Sequence, residues 1–103
     1  MPTNPSPHAE PAPLTPEQKK DLLNRLARIE GQLRGVQKLV TLAERPSDCD
    51  AVAQQMAAAR KALDRAFIEL LSDTLQTQSA NAPDLDAARA TAARLAVLLD
   101  KFS

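Results

Sequence analysis

Two stretches of this chain repeat apolar residues at alternating steps of four and three, with a proline break between them. The first runs Leu22, Leu26, Ile29, Leu33, Val36, Val40; the second runs Val52, Met56, Ala59, Leu63, Ala66, Leu70. That spacing keeps returning to one side of an α-helix, whereas a strand changes face at every residue. Leu23 and Leu39 widen the first stripe, and Phe67, Leu71 and Leu75 widen the second. At Arg45-Pro46-Ser47 the pattern stops, because proline disfavours helix in the residue before it. The expected fold is all-α: a long antiparallel hairpin of two helices. No strand pattern competes with it.

Composition matters here for what it leaves out. Hydrophobic residues make up 44% of the chain but aromatics only 2%. A core of Leu, Ala, Ile and Val suits helices whose axes approach closely over small residues. A chain of 103 residues buries a modest core alone, so a second hairpin completing a four-helix bundle is expected.

The helix ends are marked. Thr15 and Gln18 form a capping box around Pro16, and Ser47 with Asp50 marks the next start. Asn81-Ala82-Pro83-Asp84 precedes a shorter amphipathic stretch, Leu85, Ala88, Ala92, Leu95, Leu98, Leu99 and Phe102. This third helix is expected to cover the hairpin or join subunits. Gly31 and Gly35, one turn apart, each cost about 1 kcal/mol of helix propensity relative to Ala, so a close helix contact is expected there. Residues 1–14, MPTNPSPHAEPAPL, carry five prolines and are expected to be a disordered tail, leaving 15–103 as the folded domain.

The formal net charge is zero, with 13 basic and 13 acidic residues, but the distribution is uneven. The first helical segment and its end carry seven basic residues against four acids; the second carries three against five. A local basic face is thus compatible with a neutral total. One cysteine cannot form an internal disulfide, and no apolar run reaches the roughly 20 residues of a membrane span. A cytoplasmic protein without a membrane partner is expected. Catalytic motifs are missing: there is no HExxH, CxxC or phosphate loop, and the single histidine, His8, lies in the tail. An enzyme is not expected. Cys49 opens the second helix, where the helix dipole favours a thiolate and the flanking Asp48 and Asp50 oppose it.

RLARIEGQLRGVQKLV (25–40), the cysteine after the break, and QQMAAAR (54–60) resemble the CsoR, RcnR and FrmR family of copper-, nickel/cobalt- and formaldehyde-sensing repressors. The resemblance spans about Thr15 to Phe102. It implies a three-helix protomer, pairing of hairpins into a four-helix bundle dimer, and a dimer-of-dimers tetramer. It also implies repression by binding operator DNA, with release when Cys49 is modified or occupied by a small inducer. DNA-contacting roles carry over to Arg25, Arg28 and Arg65, whose guanidinium groups would neutralise phosphates.

The same resemblance sets the partners of Cys49 at Thr74 and Gln78, where the metal sensors carry histidine or cysteine. Threonine and glutamine are poor ligands for Cu(I), so a metal site on Cys49 departs from the pattern. TPEQKKDLLNRLARI (15–29) is similar to the formaldehyde sensors, which use this cysteine with a terminal proline amine. Here the matching position is about Pro13, an amide; Pro2 would have to reach Cys49 through the tail. The leading expectation is a repressor whose Cys49 answers an electrophile or oxidant. The alternatives are a copper or nickel/cobalt repressor drawing on His8 and a third ligand, and a helical interaction protein that has lost sensing.

Overall fold

The computed structural model describes residues 12–103. Residues 1–11, and with them Pro2 and His8, lie outside the described residues. Three helices follow in order, α1 (Pro16–Leu42), α2 (Asp48–Ala80) and α3 (Leu85–Phe102), and no strand occurs among the described residues. The first two pack as the hairpin, and α3 packs on α2 alone.

The start of α1 follows from its sequence. Gln18 N–H donates to Thr15 Oγ1 at 3.1 Å, and Thr15 N–H donates to Gln18 Oε1 at 2.9 Å. The same Gln18 Oε1 accepts from Thr77 Oγ1 at 2.6 Å, so the cap also fastens the beginning of α1 to the end of α2. Ser47 does not cap α2 as expected. It already has helical backbone (φ −65°, ψ −23°) and makes no side-chain cap bond, because Pro46 and Ser47 form a tight turn running straight into the helix. Asp48 serves the junction instead: its Oδ2 accepts from Glu44 N–H at 3.0 Å and Arg45 N–H at 3.1 Å. These two bonds hold its carboxyl below the ordinary 3.8. At α3, Asp84 Oδ1 accepts from Ala87 N–H at 2.8 Å.

Each apolar seam splits into two rows. Ile29 and Val36 of α1 are buried against the hairpin, as are Ala59 and Ala66 of α2. The alternate members stay exposed: Leu26, Leu33 and Val40 on α1, Met56, Leu63 and Leu70 on α2. One antiparallel partner covers only one row of a four–three repeat, and the small Ala59 and Ala66 bring α1 close along that row. Gly31 and Gly35 correct the reading given to them: a Cβ at either position meets nothing within 4 Å. Among the described residues of this chain they make no close helix contact.

Candidate nucleic-acid interface and the single thiol

Arg25, Arg28 and Arg65 come together. With Ile29, Gln32 and Ala62 they line one groove of about 160 Å³ between α1 and α2. The convergence is local geometry: Arg25, Arg28 and Gln32 recur at helical steps along one edge of α1, and Ala62 and Arg65 along the facing edge of α2. Arg28 and Arg65 meet no carboxylate among the described residues, whereas Arg25 Nε stands in an ion pair with Glu69 Oε2. The contact runs through Nε, so the two terminal Nη groups of Arg25 stand outside the pair. The adjoining cleft brings Lys61, Asp64 and Asp73 alongside Arg25, Arg65 and Glu69. This groove lies across the hairpin contact from the exposed rows of Leu26 and Leu63, since neighbouring positions on a helix are about 100° apart.

Cys49 is a free, exposed thiol at the second residue of α2. Thr74 and Gln78 lie toward the other end of the same helix, with Cys49 and Thr74 separated by about 37 Å at 1.5 Å per residue. One chain therefore cannot bring them together; only a second, antiparallel copy can. Thr74 is itself buried, at 6% exposure. Gln78 Oε1 accepts from Arg94 Nη2 of α3 at 2.8 Å. The cleft around that bond is lined by Asn81, Ala87 and Thr91 beside Gln78 and Arg94, with one cation and no carboxylate.

The chain matches the family model described as metal-sensitive transcriptional repressor over residues 18–101. It belongs to that family. No solved structure matches the chain. As a member this repressor would be expected to offer a metal three or more good donors, and its described residues hold no group of three His, Cys, Asp or Glu suited to an ion. Pairing Cys49 with another copy's Thr74 and Gln78 adds a buried hydroxyl and an amide oxygen already occupied by a guanidinium. That donor set does not fit a soft or borderline cation, and Arg94 adds a repelling charge beside it.

The sequence reading proposed the three arginines and the thiol but did not foresee two neighbours of the candidate site residues. Glu69 stands four residues after Arg65, on the same side of α2, but its partner Arg25 is on the other helix, so the pair was not legible locally. Neither was Arg94, since its meeting with Gln78 depends on how α3 folds back. No described helix is long and apolar enough to cross a membrane.

Proposed function

We propose that this repressor grips operator DNA through the groove of Arg25, Arg28 and Arg65, and releases it when Cys49 reacts with an electrophile or oxidant. The observation that carries the DNA face is the convergence of three guanidinium groups from two helices on one groove. Two of them have no carboxylate partner among the described residues. Guanidinium groups bind backbone phosphates by charge-assisted hydrogen bonds and supply position more than sequence readout.

The sensing half rests on an exposed thiol whose expected partners, Thr74 and Gln78 of another copy, are poor metal ligands. With formaldehyde, the Cys49 sulfur adds to the carbonyl carbon and the thiol proton passes to the oxygen, leaving an S-hydroxymethyl group with no atom lost. The working unit is a homo-oligomer, a dimer of hairpins assembling further into a tetramer. Its support is the pair of exposed apolar rows, Leu26, Leu33 and Val40 beside Met56, Leu63 and Leu70, which a second hairpin would cover as a four-helix bundle.

A salt-dependent titration of a duplex spanning the protein's own upstream promoter tests the DNA face. The double variant Arg25→Ala, Arg65→Ala should bind more weakly and with a shallower salt slope. Equal affinity and slope for variant and wild type would mean the face lies elsewhere. Intact mass after formaldehyde or peroxide tests the sensor: no adduct on Cys49, with promoter affinity unchanged, ends that reading.

A further inference from the structure

We propose that Glu69 is an internal competitor for operator phosphate: it holds Arg25 in the free repressor, gives it up on docking, and so sets how tightly the operator is bound. The inference rests on the arginine groove as the DNA face and assigns a role to a residue that would otherwise be a simple inter-helix tie.

Among the described residues, Arg25 is the one groove arginine in an ion pair, and its carboxylate comes from the opposite helix. A carboxylate and a phosphate offer a guanidinium the same kind of acceptor oxygens, so the two compete for one group. Arg25 remains accessible from the groove, with 41% of its side chain exposed, against 26% for Glu69. The pair engages Arg25 through Nε alone, which leaves its two terminal Nη groups outside the contact and able to take a phosphate oxygen. A phosphate arriving at Arg25 therefore meets a negative charge already seated there. Glu69 then loses its partner in a half-buried position, which lowers affinity, and it draws in a cation from solution. That uptake offsets part of the counterion release that drives DNA binding.

Glu69→Gln keeps the shape of the side chain and removes its charge. Promoter duplex titrated over a salt series should bind this variant on the order of tenfold more tightly, with a log–log slope steeper by up to about 0.9 for each Arg25 in contact with a phosphate. In an Arg25→Ala background the same substitution should give little gain, since the charge has nothing left to hold. A gain equally large without Arg25 would show a general charge effect and overturn the proposal. So would weaker binding by a Glu69→Gln protein whose circular dichroism is unchanged, since the pair would then be a structural tie. Should that variant fail to fold, Glu69→Asp, which keeps the charge but withdraws it by one methylene, must also bind more tightly. If wild-type protein shows no salt-dependent promoter binding, the DNA face itself fails and the proposal with it. If wild type binds and the glutamine variant matches it, only the role of Glu69 fails.

Discussion

Cys49 and Asp48 are neighbours at the start of α2 with separate tasks. Asp48 turns its carboxylate back onto the N–H groups of Glu44 and Arg45, tying down the turn that presents the thiol. Its carboxyl is held below 3.8 by those two bonds, so the folded state binds this proton less readily than the unfolded chain does. Asp48 thus adds stability that is fully present above that pH and lost as pH falls through its folded value. Asp48→Asn should unfold more easily than wild type at neutral pH, with the gap closing below pH 3.8; urea melts across the acid range measure it. Cys49→Ser should bind promoter DNA within about twofold of wild type, because the thiol is roughly 24 Å along α2 from Arg65. It should ignore formaldehyde and peroxide, as a titration before and after treatment would show. The site was partly legible at this scale. The family resemblance named the arginines and the lone cysteine named itself, but the ion pair of Arg25 and the bond of Gln78 to Arg94 depend on tertiary placement that no local pattern encodes.

The helices show why some element-scale expectations held and others did not. The capping box of Thr15 and Gln18 and the break at Pro46 act within one turn, so their residues suffice to place α1 and the start of α2. The four–three repeat likewise marks both helices, but it does not say which row meets which neighbour. That choice falls to Ala59 and Ala66, whose small side chains select the row facing α1. Gly31 and Gly35 suggest close contact, yet among the described residues of one chain both face open space. Ala should fit at either position and remove the backbone entropy that glycine surrenders on folding. Gly31→Ala and Gly35→Ala should each raise stability by about 0.5–1 kcal/mol, read as a higher denaturation midpoint at unchanged m-value. A loss of stability at either position would mean that another copy lies against that face.

At the scale of the whole molecule, the single chain is long and thin. Its radius of gyration is 19.0 Å and its extents are 60 × 37 × 18 Å, whereas a compact chain of about 100 residues has a radius near 13 Å. Among the described residues five apolar ones are buried, Ile29, Val36, Ala59, Ala66 and Leu95, and none of their side chains is fully buried. Meanwhile Leu33, Val40, Met56 and Leu63 are each about half exposed, at 48–57%. Burying one such side chain is worth roughly 1.5–3 kcal/mol, so covering both rows supplies stability that the hairpin lacks. Folding and association are then linked, and the melting temperature should rise with protein concentration. Leu33→Glu with Leu63→Glu sets four like charges into the paired rows of a dimer. That variant should sediment as the 11.1 kDa chain, lose helical signal on dilution, and bind promoter duplex far more weakly, since a lone protomer presents one arginine groove where a pair presents two. Because the rows and the groove lie on opposite sides of the hairpin contact, the lost binding would come through assembly and not through the DNA face. Wild-type protein that sediments as one chain and melts at a concentration-independent temperature would exclude this assembly, and with it the means of bringing Cys49 near another copy's Thr74 and Gln78.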